Sequence, residues 1–174
     1  MRIEFWIPFA YCVAMRFVEL AVSRRNEARA IAAGGHRVEP DATGPLVLVH
    51  TLWFVGLLAE ELLVGPRAWP SVWILVAGAV ALLAEALRVW CMLSLGERWN
   101  VAVVIRPGAD LVRRGPYRFL PHPNYLAVVI LLVALPLALA LPWTAAGIVP
   151  LKLWALSKRL RIENQALGLA PGGP

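Results

Sequence analysis

The chain has 174 residues, of which 60% are hydrophobic, and its mean hydropathy is +0.67. That composition lies well above the range of soluble domains and excludes an ordinary soluble fold. The net charge of +6 could indicate a nucleic-acid partner, but the basic residues gather at the ends of long apolar blocks, where lipid headgroups and membrane topology require them. We therefore expect membrane lipids as partners and no nucleic acid.

Five apolar blocks approach membrane-spanning length, and nearly every face of each block is apolar. The first could be a signal peptide, but it contains Arg16 and Glu19 and lacks a small-residue cleavage site. Pro142 leaves room only for a tight turn between the last two blocks, which predicts a C-terminal helical hairpin. The sequence thus predicts an all-α polytopic integral membrane protein with about five transmembrane helices, at Ile3–Val22, Gly44–Val64, Ser71–Leu93, Asn124–Leu141 and Trp143–Ser157.

The chain is expected to form one membrane-embedded domain over residues 1–174. Residues 1–93 supply three spans, residues 94–167 supply a connection and the hairpin, and residues 168–174 form a flexible Pro/Gly-rich tail. Lys and Arg are concentrated after the first span, after the third span and at the C-terminal end. The positive-inside rule then places the N-terminus outside and the C-terminus in the cytosol. The connection 94–122 would face the cytosol, where a soluble cofactor can reach it.

Ionisable residues within the spans need partners, because an uncompensated charge at the bilayer centre costs roughly 2.5–3.5 kcal/mol. Arg16 lies three residues before Glu19, and the Glu85–Arg88 pair has the same spacing, so each pair can be neutralised on its own helix. For His50 and Glu60, in the second span, an interhelical hydrogen bond is favoured over catalysis. These residues are therefore expected to be structural.

The segment from Gly115 to Tyr125 is rich in residues with special backbone or hydrogen-bonding properties, and it leads directly into an apolar helix. Gly115 and Pro116 favour a tight turn, and Pro123 suits the first turn of a helix. His122 and Tyr125 place polar groups at the membrane boundary. By composition alone, the segment is equally compatible with a helix-entry loop that carries an interfacial tyrosine.

Arg159 and Glu163 form the second polar feature, near the end of the last apolar block. They are four residues apart and therefore share one face of a helix. Such a pair can divide the charges of a ligand between its members. By spacing alone, an exposed surface ion pair is the simpler interpretation.

Together these segments resemble the isoprenylcysteine carboxyl methyltransferase and phospholipid methyltransferase superfamily, over about residues 93–167. Its signature is Gly-x-Tyr, a short spacer and Arg-His-Pro-x-Tyr before a helical hairpin, closed by an Arg and a Glu one turn apart. Pro121 stands where the signature has Arg, so a planar multi-donor group is missing, and a nearby cation such as Arg118 would have to replace it. The matching residues are Gly115, Tyr117, His122, Pro123, Tyr125, Arg159 and Glu163.

The resemblance implies S-adenosylmethionine as the cofactor and no metal ion. It makes Arg159 the substrate-binding residue and Arg159 with Glu163 the catalytic pair. Arg159 would orient the acceptor oxygen, and Glu163 would bind the cationic end of the cofactor. By position, the resemblance places in the cofactor pocket Ala109, Asp110, Leu111, Val112, Tyr117, His122, Pro123, Asn124, Tyr125 and Glu163.

The N-terminal half is similar to small bacterial members of the superfamily, some of which are associated with type III polyketide synthases. The similar segments are Arg16-Phe-Val-Glu19-Leu, Ser23-Arg-Arg-Asn26, Gly34-Gly35 and Val49-His50-Thr51-Leu52-Trp53, together with Glu60. This implies O-methylation of the hydroxyl of a long-chain alkylpyrone, a lipidic small molecule, in a bacterial inner membrane. The alternatives are methylation of an isoprenylcysteine carboxylate or of a phospholipid amine, a nicotinamide-dependent membrane reductase, and a non-catalytic membrane scaffold.

Overall fold

The computed structural model of the protein describes residues 2–40, 42–108 and 110–168. Five α-helices dominate this part of the chain, and three of them, with their continuations, are long and apolar enough to cross a membrane. Only 11–22% of their apolar windows is buried inside the protein, so most of those side chains are left to face lipid. The prediction of an all-α polytopic membrane protein is confirmed. The helices are α1 (Ile3–Ala32), α2 (Thr43–Ala59), α3 (Ser71–Leu95), α4 (Pro123–Ala138) and α5 (Pro142–Ala166).

The first helix is ten residues longer than predicted, because α1 continues past Val22 to Ala32. The extension is polar, but it is packed against the connection that follows α3. Asn26, which is 1% exposed, donates from its amide nitrogen to the carbonyl oxygens of Gly96 (3.1 Å) and Trp99 (2.9 Å). The Ser23 hydroxyl accepts a hydrogen bond from the backbone N–H of Val101 at 2.8 Å. This extension therefore holds the start of the connection in place.

A two-stranded antiparallel sheet ties the connection to the loop after α1, and this sheet was not predicted from the sequence. Its strands are β1 (His36–Arg37) and β2 (Val104–Ile105). The chain enters β1 through Gly35, where a β-carbon would lie 2.7 Å from the Ala30 carbonyl oxygen and 2.9 Å from that of Ile105. Because real β-carbons do not approach backbone atoms so closely, this crossing requires glycine.

Helices α2 and α5 pack against each other in antiparallel orientation, since the start of α2 contacts the C-terminal part of α5 and the end of α2 contacts the start of α5. At the end of α2, Glu60 begins a π-helical turn, Glu60–Val64, that completes the predicted second span. Its carboxylate accepts hydrogen bonds from the backbone N–H groups of Trp143 (3.0 Å) and Thr144 (2.6 Å), in the first turn of α5. A carboxylate at a helix N-terminus is favourable because it satisfies free N–H groups and complements the helix dipole. Glu60 is therefore an interhelical cap, in agreement with the structural role that was expected.

The predicted C-terminal hairpin is present, with boundaries that differ from those expected. Helix α4 runs over Pro123–Ala138 rather than Asn124–Leu141, and a tight turn that contains Ala140 in the left-handed region leads into α5 at Pro142. Helix α5 does not end at Ser157 but continues to Ala166. The additional residues favour helix and carry the polar face used by the site described below.

The intramembrane charges form the two predicted pairs and are also linked across helices. Arg16 lies 3.3 Å from Glu19 on α1, and Arg88 lies 2.9 Å from Glu85 on α3. The Arg88 guanidinium also contacts the Glu19 carboxylate, which is 1% exposed. The Tyr11 hydroxyl donates to Glu85 at 2.9 Å. This network joins α1 to α3 within the apolar part of the protein, where few water molecules compete for the charges.

Candidate functional site

A cavity of about 730 Å³ lies between the connection that follows α3 and the helices beneath it. Its volume lies within the range of roughly 300–1,000 Å³ that is usual for small-molecule sites. Ala109 lies outside the described residues, and Pro123, at the buried start of α4, is not part of the described cavity wall. The cavity is lined by the other predicted site residues, Asp110, Leu111, Val112, Tyr117, His122, Asn124, Tyr125, Arg159 and Glu163.

The turn of the Gly-x-Tyr element packs directly against the end of α3. Gly115 has φ +57°, and a β-carbon there would overlap the side chain of Ser94 and lie 3.1 Å from the indole nitrogen of Trp90. The neighbouring Arg114 donates to the Ser94 carbonyl oxygen at 2.7 Å. This arrangement places Tyr117 in the cavity wall, where burial raises the pKa of its phenol above the usual range. Tyr117 is therefore a neutral hydrogen-bond donor at physiological pH.

His122 and Tyr125 come together with α5 at the start of α4. One ring nitrogen of His122, Nε2, lies 2.7 Å from Oδ1 of Asn164, while Nδ1 lies 3.9 Å from the Glu163 carboxylate. The His122 and Tyr125 rings are stacked with their centres 5.5 Å apart. The Tyr125 hydroxyl donates a hydrogen bond to Glu163. The histidine and tyrosine of the signature thus contact the terminal glutamate, as a shared site requires.

Arg159 is the most connected side chain of the site, and it is only 3% exposed. Its Nε–H lies 3.0 Å from the Tyr125 hydroxyl oxygen and 3.3 Å from the Glu163 carboxylate. Its terminal nitrogens donate to the Thr43 hydroxyl at 3.1 Å and to the Val101 carbonyl oxygen at 2.8 Å. The pair of Arg159 and Glu163 is therefore not an exposed surface ion pair. It connects α2, α4, α5 and the connection at one point of the cavity wall.

Three buried polar atoms of the cavity wall have no hydrogen-bond partner among the described residues. They are the indole nitrogen of Trp99 and the side-chain carbonyl oxygens of Asn100 and Asn124. Buried polar groups nearly always have partners, because leaving one unsatisfied costs about 1–3 kcal/mol. All three residues line the cavity, but the three atoms themselves are covered by protein, so a polar ligand reaches them only after the side chains turn. Asn100 was not among the predicted cofactor-binding residues.

Pro121, which replaces the arginine of the signature, lies in the cavity wall, and several cations line the same cavity. Arg118 also lines the cavity, and its guanidinium carbon lies 4.4 Å from the centre of the Phe119 ring. A second arginine, Arg98, donates to the backbone carbonyl oxygen of Asp110. The positive charge missing at Pro121 is therefore available from neighbouring residues of the same wall.

The cavity also extends down between the helices, to residues that were assigned no role in a site. The deep part is lined by Arg16 and Glu19 of α1, His50 of α2, Arg88 of α3 and Lys152 of α5. Lys152 was missed, although it interrupts an otherwise apolar stretch seven residues before Arg159. That spacing places both side chains on one face of α5, so it could have indicated that Lys152 lines the same cavity as Arg159.

Comparison with known proteins gives one family and two similar bacterial proteins. The sequence model of the isoprenylcysteine carboxyl methyltransferase (ICMT) family matches residues 75–168. The uncharacterized protein YpbQ of Bacillus subtilis (strain 168) is 34% identical over 163 residues, which cover 94% of this chain and 96% of that protein. An uncharacterized protein of Haemophilus influenzae is 26% identical over 166 residues, which cover 92% and 93% of the two chains. No solved structure matches the chain significantly.

Proposed function

Because the chain belongs to the isoprenylcysteine carboxyl methyltransferase family of membrane methyltransferases, we propose that it uses S-adenosylmethionine to methylate an oxygen of a lipidic acceptor. The proposed acceptor is the hydroxyl of a long-chain alkylpyrone from a type III polyketide pathway. A cavity that continues from the polar connection to the interior of the helix bundle supports this assignment. Such a cavity can receive a soluble cofactor at one end and the head of a membrane lipid at the other.

The residues of the cavity wall fit S-adenosylmethionine, which supplies a methyl group bonded to a positively charged sulfur. Trp99, Asn100 and Asn124 line the cavity, and each has a buried polar atom without a described partner that can bind the nucleoside once its side chain turns toward the ligand. The Glu163 carboxylate can bind the cationic end of the cofactor. Arg118 can bind its carboxylate and so replace the arginine that is missing at Pro121.

Methyl transfer requires mainly that the protein place the cofactor and the acceptor in the correct geometry and exclude water. A hydroxypyrone is an acidic enol and is already ionised near neutral pH, so no strong general base is needed. Arg159 is held by Tyr125 and Glu163 in one orientation. We assign it the orientation of the acceptor oxygen, because an ion pair that is too tight would reduce the nucleophilicity of that oxygen.

The first test is transfer of labelled methyl groups by the purified protein in lipid vesicles. The acceptors are an alkylpyrone, a prenylcysteine and phosphatidylethanolamine, and we expect the label on the pyrone oxygen. Label in one of the other lipids would contradict the proposed acceptor. If no acceptor is labelled and S-adenosylmethionine does not bind, the non-catalytic scaffold becomes the better interpretation.

The second test removes the two predicted catalytic side chains. We expect Glu163→Gln and Arg159→Ala each to lower kcat/KM by at least about tenfold, because a hydrogen bond to a charged group contributes about 1.5–3 kcal/mol. The matched control is Arg161→Ala, which removes an exposed arginine from the same helix outside the described cavity wall. Unchanged methyl transfer by both cavity variants would contradict the site assignment.

A further inference from the structure

The register of α2 against α5 brings two polar residues, His50 and Lys152, to the same depth in the cavity. Thr43 meets Arg159 at one end of the pair, and Glu60 caps α5 at the other. His50 follows Thr43 by seven residues, and Lys152 precedes Arg159 by seven. Seven residues are two helical turns, or about 10 Å along the axis, so each returns to the face of its starting residue. Both His50 and Lys152 line the cavity, below the site around Arg159.

Lys152 is a buried cation without a partner in the described part of the chain. Only 3% of it is exposed, and no hydrogen bond or ion pair joins its ammonium group to a described residue. Arg16, which lines the same cavity, is also a cation. By contrast, Arg16 is paired with Glu19, and Arg88 is paired with both Glu19 and Glu85. Around the deep end of the cavity, the three cations Arg16, Arg88 and Lys152 are thus balanced by only two carboxylates among the described residues, those of Glu19 and Glu85.

His50 brings no negative charge to this end of the cavity. Its Nδ1 lies 2.8 Å from the carbonyl oxygen of Leu46, and since a carbonyl can only accept, the hydrogen is on Nδ1. In the neutral ring, Nε2 is therefore an acceptor, and no described residue donates a hydrogen bond to it. Leu46 and Val128 supply the apolar part of the same wall. A buried ammonium group in such surroundings either releases its proton or has its charge compensated by a ligand.

We propose that the deep end of the cavity is the binding subsite for the head group of the acceptor, and that Lys152 pairs there with an anionic oxygen. The occupant is a lipid whose head carries an enolate or a carboxylate. This inference rests on the proposed function and narrows it, since a lipid that presents a cationic amine would be repelled. His50 positions the head by accepting a hydrogen bond at Nε2 from the ammonium group or from a second hydroxyl.

The charge change during the reaction fits this arrangement. The acceptor oxygen forms a bond to the methyl carbon, the bond from that carbon to sulfur breaks, and sulfur keeps the electron pair. A negative oxygen and a positive sulfonium thereby become a neutral ether or ester and a neutral thioether. The methylated head loses its attraction to Lys152, which favours release of the product. Because the negative charge of an enolate or carboxylate is shared between its oxygens, Lys152 pairs with one oxygen and selects the substrate, while Arg159 orients the oxygen that reacts near the cofactor.

The kinetic test is Lys152→Met, which keeps the length of the side chain and removes the charge. In vesicles, we expect KM for the alkylpyrone to rise by about tenfold to 100-fold, with a smaller change in kcat and an unchanged Kd for S-adenosylmethionine. Lys152→Arg restores the charge and should recover part of the affinity. The matched control is Lys158→Met, which removes a lysine of α5 that lies over the Trp154 ring, outside the described cavity wall.

A binding experiment separates this inference from the proposed function. The free hydroxypyrone is anionic, whereas its methoxy derivative has the same ring and tail without the charge. The wild-type protein should bind the hydroxypyrone more tightly, and Lys152→Met should bind the two with similar affinity. Equal affinities in the wild-type protein, or an unchanged preference in Lys152→Met, would overturn the subsite. If the preference is present but no acceptor is methylated, the proposed function fails and the subsite stands.

Discussion

Arg159 shows how a single residue can organise a site in a membrane protein. Its contacts reach the start of α2, the first turn of α4, its own helix and the backbone of the connection. A guanidinium group suits this position because it remains charged and presents its donors in a fixed plane. The sequence predicted Arg159 and Glu163 as a pair, but it did not predict the contacts with Thr43 and Val101. Those partners lie 116 and 58 residues away, so only the folded chain brings them together.

Gly115 is the position where a small change should have the largest local effect. We expect Gly115→Ala to disrupt the turn and lower methyl transfer strongly, since the new β-carbon would overlap Ser94 as well as occupy a left-handed backbone conformation. Overpacking of this kind destabilises a protein by about 1–3 kcal/mol. The measurements are thermal unfolding in detergent and the Kd for S-adenosylmethionine.

The control for this variant is Gly108→Ala. Gly108 also has a positive φ, +73°, but a β-carbon there meets nothing within 4 Å. It therefore carries the backbone strain without the overlap with Ser94. If the two variants behave alike, the conformation alone matters and the contact with the end of α3 does not.

At the scale of elements, the antiparallel pair of α2 and α5 sets the depth of His50, Lys152 and Arg159 in the cavity. The contact of Thr43 with Arg159 and the cap that Glu60 makes on α5 fix the two ends of the pair. Between them, Gly56 passes close to Thr144, since a β-carbon on Gly56 would lie 3.2 Å from the Thr144 methyl group. A slip of one residue would turn His50 and Lys152 away from the cavity, because successive helical residues point about 100° apart.

The cap on α5 gives a prediction for this helix pair. Glu60→Ala leaves two backbone N–H groups of α5 without their charged acceptor, and we expect the free energy of unfolding to fall by about 1–3 kcal/mol. The lower stability should be visible as a reduced Tm in detergent. Glu4→Ala, which removes an exposed carboxylate from the first turn of α1, should change the Tm much less. Equal Tm values for the two variants would contradict the capping role.

At the scale of the whole molecule, the cavity is closed by elements that lie far apart in the chain. The extension of α1 and the small sheet hold one side of the connection, and α5 holds the other. The helices beneath expose apolar side chains on their outer surfaces. Under the proposed function, the lipid acceptor remains in the bilayer while its head reaches the polar interior, and the soluble cofactor enters from the connection.

Orientation in the membrane is a property of the whole molecule that can be tested directly. We expect the connection and the end of α5 to face the cytosol, because Lys and Arg are concentrated there. In a chain without Cys12 and Cys91, a membrane-impermeant thiol reagent should label Ala68→Cys in intact cells. It should label Gln165→Cys only after permeabilisation. Both positions are exposed, so accessibility within the protein does not decide the result. The opposite pattern would reverse the topology.

The sequence by itself determined the membrane setting, the helical hairpin and the family motif. Each of these depends on local composition or short spacing: apolar blocks of spanning length, Pro142 between two of them, and a signature between Gly115 and Glu163. A local pattern is readable because its physical cause lies within a few residues. The predicted pairing of Arg16 with Glu19 was confirmed for the same reason.

The tertiary structure alone decided what faces the cavity. Lys152 and His50 are 102 residues apart in the numbering, and nothing local to either shows that they lie at one depth. The pairing of β1 with β2 was also not readable from the sequence, because each strand has only two residues and is too short to give a periodic signal. Helix packing brings such residues together and excludes water from them. Because water is excluded, the ammonium group of Lys152 lacks hydration, and an anionic substrate can compensate its charge.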